Sequence, residues 1–168
     1  MSTLYANPSQ TLGPLYGFAL MFEGSENAVD PSDPDAVRIS GRMIDGVGDP
    51  VDYPNGLIEV WTAEQFARGR TDPDGHFEVV LAKRPSPPLP DGTPQAPFFN
   101  ITIFARGLVK QFQTRVYFSD EAEANAADPV LGRVDPERRD TLIAEKVDGG
   151  YHHDIYLQGE TETVMFEF

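Results

Sequence analysis

The sequence predicts an all-β protein, a sandwich or barrel of short strands. Fifteen prolines and fifteen glycines divide its 168 residues into brief segments. The segments between them are rich in valine, isoleucine, phenylalanine and tyrosine, and several alternate apolar with polar residues. Neither an internal repeat nor a heptad pattern offers another architecture.

In chain order, strands are predicted over 15–22, 36–43, 57–61, 76–82, 98–105, 108–118, 151–158 and 161–168, with turn signals at 49–56, 71–75, 105–107 and 158–160. Residues 23–35 are acidic and turn-rich and read as a solvated surface loop. Residues 83–97 hold too many prolines for a central strand, so they predict an ordered loop over the sandwich, where sites tend to form. Two short helices are expected. One follows Ser119 or Asp120 as N-cap and stops at Pro129; the other has Asp135 as N-cap and Pro136 in its first turn. The length favours one domain, 1–168, with an N-terminal arm over about 1–14.

Composition narrows the chemistry. A formal net charge of −14 disfavours nucleic acid and anionic membrane as partners. An anionic ligand would need a local arginine to hold it. With no cysteine, disulfides, thiolate metal sites and a cysteine nucleophile are excluded. The first seventeen residues lack the charged and apolar regions of a signal peptide, and no apolar run approaches membrane-spanning length, so a cytoplasmic protein is expected.

Two stretches carry chemistry. His152, His153 and Asp154 are adjacent, but on a strand neighbouring side chains point to opposite faces. His152 and Asp154 could chelate together, and His153 would face the other way, with Tyr151, Ile155 and Leu157. Two ligands do not make a catalytic iron or zinc site. The third histidine, His76, follows a turn far upstream. The plain expectation is a C-terminal strand facing solvent or a partner. The second stretch, 96–107, places Phe98, Asn100, Thr102 and Phe104 on one face, with Arg106 next in register, and Phe99, Ile101 and Ile103 on an apolar face. No nucleophile elbow or phosphate-cradling loop is present.

Segments 7–14, 57–63, 69–77, 96–107, 114–131, 137–144 and 162–168 together resemble the intradiol ring-cleavage dioxygenases, in particular the α subunits of those acting on 3,4-dihydroxybenzoate. The resemblance implies a β-sandwich of the intradiol dioxygenase type. It also implies a reaction that opens the ring between the two hydroxyl-bearing carbons and inserts both atoms of O2, giving 3-carboxy-cis,cis-muconate on the β-ketoadipate route of aromatic catabolism. The family's cofactor is a non-haem Fe(III) on two tyrosines and two histidines.

At the matching positions this chain has Phe98 and Asn100 in place of the histidine pair. It has Pro87 near one tyrosine position and no tyrosine in the segment after Trp61. The resemblance therefore implies no catalytic residue and no metal ligand here, with Fe(III) bound by a homologous β subunit in (αβ)n assemblies. The family's α-chain contacts to substrate map onto Thr11, Gly13, Pro14 and Arg106. The family's tyrosine directly follows Gly-Pro, whereas here Leu15 does and Tyr16 comes one residue later, leaving 15 or 16 as the contact. Arg115 reads as structural or interfacial. The competing reading is a non-catalytic β-sandwich, a binding or structural module that kept the fold without the chemistry.

Overall fold

The computed structural model describes residues 10–167. Its strands are β1 (Ala36–Ile44), β2 (Gly56–Trp61), β3 (Phe66–Arg70), β4 (His76–Ala82), β5 (Phe98–Ala105), β6 (Phe112–Phe118), β7 (Ile143–Val147), β8 (Gly150–His152) and β9 (Ile155–Tyr156). They hydrogen-bond in the order β3-β2-β5-β6-β7-β8-β1-β4, with β9 also on β1. This path folds into the two layers of a sandwich. β7 is the hinge, parallel to β6 and antiparallel to β8.

The alternation read from the sequence explains the core. Ile58 and Val60 of β2, Phe99, Ile101 and Ile103 of β5, and Val116 and Phe118 of β6 point inward. They meet Ile39, Val79, Leu81, Tyr151 and Ile155 from the other layer. Each such side chain removes apolar surface worth about 1.5–3 kcal/mol from water. A second cluster, built on Tyr117, Leu131, Val134 and Leu142, packs under the irregular segment that follows β6.

Several expected elements change form. Residues 15–22 form no strand; helix α1 (Pro14–Ala19) starts there, with Gly13 extended at its N-cap and proline in its first turn. Leu15 and Phe18 are exposed, so no sheet covers that segment. Segment 23–35 is only partly a solvated loop. Ser25 is buried between β3 and β4, where it accepts a hydrogen bond from the Arg68 N–H through its carbonyl and donates to the Arg68 carbonyl through its hydroxyl. Ala28 N–H donates to Val80 O. The acidic half, 30–35, folds into side-chain turns on Asp30 and Asp33.

The strand expected over 108–118 starts only at Phe112. The strand expected over 161–168 does not form over its described residues, 161–167, which are tied by Phe166 N–H to Gln113 O and by Thr114 Oγ1 to Val164 O. β3 and β7 were not expected; both are short and rich in charged residues or alanine. The first helix is a 3-10 turn (Ser119–Glu121) followed by α2 (Ala122–Ala127), with no side-chain cap. Ser119 Oγ instead accepts from Lys146 N–H, and Asp120 pairs with Lys83 and Lys146. Asp135 does cap its turn, accepting from Glu137 N–H at 3.2 Å, but the turn is 3-10 (Pro136–Leu142). The first nine residues of the expected arm lie outside the described residues.

Candidate functional site

The outward face of β2, β5 and β6 carries Trp61, Phe98, Asn100, Thr102 and Phe104 in cross-strand register, with Trp61 opposite Asn100 and Asn100 opposite Arg115. Three depressions share lining residues along this face. The Trp61 indole N–H donates to Thr102 Oγ1 at 3.0 Å, which leaves Thr102 almost fully buried on a face that is not core. The Arg115 guanidinium lies 3.8 Å from the Phe98 ring centroid and donates to Gln95 Oε1 at 3.0 Å. These contacts tie the Pro-rich loop to β6.

One end of this face is the corner after β5. Gly107 has φ +96°, a backbone conformation that suits glycine, and it turns the chain just past Arg106. Thr11 Oγ1 accepts from Gly107 N–H at 2.7 Å and reaches Ala105 O at 3.5 Å. The Arg106 N–H donates to Asn55 O at 2.8 Å, so its backbone is anchored while its side chain is exposed. Thr11 and Tyr16 line a cavity of about 230 Å³ beside Phe104 and Leu108. Between them Gly13 is extended and Pro14 opens α1. Sequence positions far apart, Thr11, Tyr16 and the Arg106 turn, are therefore brought to one corner. Leu15 points away from that cavity and is 83% exposed.

At the other end lies a cavity of about 550 Å³ lined by Trp61–Gln65, Arg84–Pro87, Phe98 and Asn100. All positions at which the family resemblance expects iron ligands meet here, namely Pro87, Phe98, Asn100 and the segment after Trp61. That segment is a tight hairpin between β2 and β3, closed by Thr62 N–H to Gln65 O and by Thr62 Oγ1, which accepts from the N–H groups of Glu64 and Gln65. The donor set does not suit Fe(III). The lining offers neither imidazole nor phenolate; its one carboxylate is Glu64, and both ends of the Gln65 amide are taken by the Ala82 backbone at 2.7 and 3.0 Å. Arg84 adds a positive charge that repels a cation.

The His-His-Asp stretch is resolved differently from the expectation. It is not one strand: β8 ends at His152 and β9 begins at Ile155, both parallel to β1. His152 is exposed, its Nε2 3.1 Å from Asp154 Oδ1. Asp154 Oδ1 also accepts from Arg42 N–H at 2.8 Å, standing in for a ladder carbonyl. His153 faces neither solvent nor a partner; it is 4% exposed, and Nε2 has no hydrogen-bond partner among the described residues. Burial pushes its pKa down to about 4; the nearby Asp154 and a hydrogen bond to the Ile143 backbone oppose the shift, and His152 adds to it.

Fold does bring His76 and His152 to one open cavity, from β4 and β8 on either side of β1. The compact ligand-like group among the described residues is instead Asp72, Asp74 and His76, all exposed. Asp72 Oδ1 is already committed to the N–H groups of Asp74 and His76, the side-chain turn that feeds β4.

The chain is 37% identical to the protocatechuate 3,4-dioxygenase alpha chain of Pseudomonas putida over 194 aligned positions, covering 96% of each. It is 35% identical to that of Burkholderia cepacia over 199 positions, 99% of this chain and 100% of the relative. No protein-family model matches it. Among solved structures, hydroxyquinol 1,2-dioxygenase of Pseudomonas putida DLL-E4 superposes with a TM-score of 0.61 at 17% identity, over 91% of this chain and 67% of that one. The dioxygenase domain of a carbohydrate-binding fusion from Streptomyces sp. SirexAA-E gives 0.56 at 16%, over 89% and 96%. These structures share the fold, the β-sandwich of the intradiol dioxygenases. With identity above a third and coverage nearly complete on both sides, the chain belongs to the family of the protocatechuate 3,4-dioxygenase alpha chains.

Proposed function

We propose that this chain is the α subunit of an intradiol dioxygenase that opens the ring of 3,4-dihydroxybenzoate with O2, giving 3-carboxy-cis,cis-muconate. A homologous β subunit supplies the Fe(III), and the two chains assemble as (αβ)n. The observation that carries this reading is the cavity at Pro87, Phe98 and Asn100. Its site is shaped by the family fold, yet its residues cannot ligate iron.

When bound in the partner, the metal supplies the activation of the catechol. This chain's part is to hold and orient. Arg106 is anchored through its backbone and exposed through its side chain, and it supplies a fixed cation for the substrate carboxylate in a protein of net charge −14. Thr11, Gly13, Pro14 and Tyr16 form the rim beside it, with Tyr16 rather than Leu15 turned toward the Thr11 cavity. Residues 1–168 act as one domain whose N-terminal arm covers the partner's site, and the assembly works in the cytoplasm.

The test is co-expression with the β chain. The purified pair is expected to contain iron and cleave the ring, and this chain alone to do neither. In the pair, Arg106→Ala is expected to raise KM for 3,4-dihydroxybenzoate by about tenfold or more, the scale of one charge-assisted hydrogen bond. An unchanged KM would remove Arg106 from the site.

A further inference from the structure

The cavity that cannot take iron is still built to hold something. Trp61, the sole tryptophan of the chain, and Phe98 are diagonal neighbours on the outward face and form two of its walls. Pro85 and Pro87 form a third. These walls are fixed in place. The Trp61 N–H is held by Thr102. The Phe98 ring is backed by Arg115 at 3.8 Å and by Tyr117 at 5.9 Å between ring centroids. Ser86 Oγ accepts from the Phe98 N–H at 3.1 Å, closing the loop onto the strand.

Against these satisfied groups one side chain differs. Arg84 lines the cavity and makes no hydrogen bond or ion pair with any described residue. A guanidinium beside flat apolar walls suits a planar molecule carrying one negative charge. Glu64, also in the lining, acts against more highly charged anions. The volume, about 550 Å³, accommodates a single ring.

We propose that this cavity is a binding site for a single-ring aromatic carboxylate, with the ring against Trp61 and Phe98 and the carboxylate on Arg84. Occupancy needs no metal and no ring hydroxyl. The ligand is held without reaction. The site belongs to this chain alone and is independent of the α-subunit reading.

The test uses the full chain without its partner. Benzoate is titrated against Trp61 fluorescence, and the bound equivalents are counted by equilibrium dialysis. Saturable binding of one equivalent per chain is expected, with benzamide, the neutral analogue, at least about tenfold weaker. Arg84→Gln, a change at an exposed loop residue, should weaken benzoate about tenfold and leave benzamide unchanged. Phe98→Leu should weaken both. Absence of saturable benzoate binding, equal binding of the two probes, or an Arg84→Gln protein that binds benzoate as before would each overturn the proposal. A pair that fails to cleave 3,4-dihydroxybenzoate would count against the proposed function and leave this titration unaffected.

Discussion

Two buried polar residues show how much single side chains decide. Asp128 is almost wholly buried, and its carboxylate accepts from the N–H groups of Ala96, Val130 and Leu131 at 2.8–2.9 Å and from the Tyr117 hydroxyl at 3.1 Å. It thereby joins the Pro-rich loop, β6 and the turn after α2. Asp128→Ala would strand three buried donors, those of Ala96, Leu131 and Tyr117, each costing about 1–3 kcal/mol, and is expected to lower the urea midpoint steeply. A midpoint within experimental error of the parent protein would show that water satisfies those donors instead. From sequence, Asp128 is merely the residue before Pro129; its partners are up to 32 positions away.

His153 makes a pH prediction. Its folded pKa of about 4 lies below the ordinary value of 6.5, so the unfolded chain binds the proton first as pH falls. Its stabilising contribution is complete above about pH 6.5 and is lost as pH drops toward about 4, at no more than about 1.4 kcal/mol per pH unit. The charged neighbours are Asp154 and His152, which act in opposite directions. His153→Gln is expected to flatten stability against pH between about 4 and 6.5, measured as urea midpoints across that window; an unaltered slope would place the titration elsewhere.

Among the elements, two backbones approach very closely where β8 gives way to β9 along β1. A Cβ on Gly41 would lie 1.9 Å from the His153 carbonyl oxygen, so β1 can approach this break only as glycine. Gly41→Ala must push the two backbones apart and is expected to cost about 3 kcal/mol or more, read from thermal or urea unfolding. A protein as stable as the parent would mean that the C-terminal segment moves freely. Strands with clear alternation and β-branched residues, such as β1, β4 and β5, were legible in the sequence because period two and one buried face coincide. β3 was not, since its Phe-Ala-Arg-Gly-Arg sequence is weak in strand formers and is held by a tight hairpin and by the Arg68–Glu59 ion pair at 2.6 Å. The reverse error occurred at 15–22, where apolar residues that looked like a strand form a helix because proline at its first turn sets the backbone.

For the whole molecule, the clearest unmet need is on α1. Leu15 is 83% and Phe18 73% exposed, and Phe22 is exposed just beyond them. The patch adjoins the Thr11 and Arg106 corner proposed to face the partner. Replacing both Leu15 and Phe18 with serine is expected to weaken assembly with the β chain without unfolding this one, as seen by loss of co-elution at a concentration where the parent pair holds together. Equal co-elution would move the interface to another face. The remaining surface is acidic, and among the described residues no helix is long and apolar enough to cross a membrane.

The sequence by itself determined the β-rich class, the inward face of β5 and the turn at Gly107. These depend on local periodicity, backbone freedom and side-chain chemistry, which neighbouring residues already specify. Tertiary structure alone decided that Pro87, Phe98, Asn100 and the 62–65 hairpin enclose one cavity, that Thr11 and Tyr16 reach the Arg106 turn, and that of the two faces separated by alternation the one carrying His153 turns into the core. Those outcomes rest on pairings between distant segments, Thr11 with Gly107 and Ser40 with His153 among them, which burial of the shared core selects and no local pattern encodes.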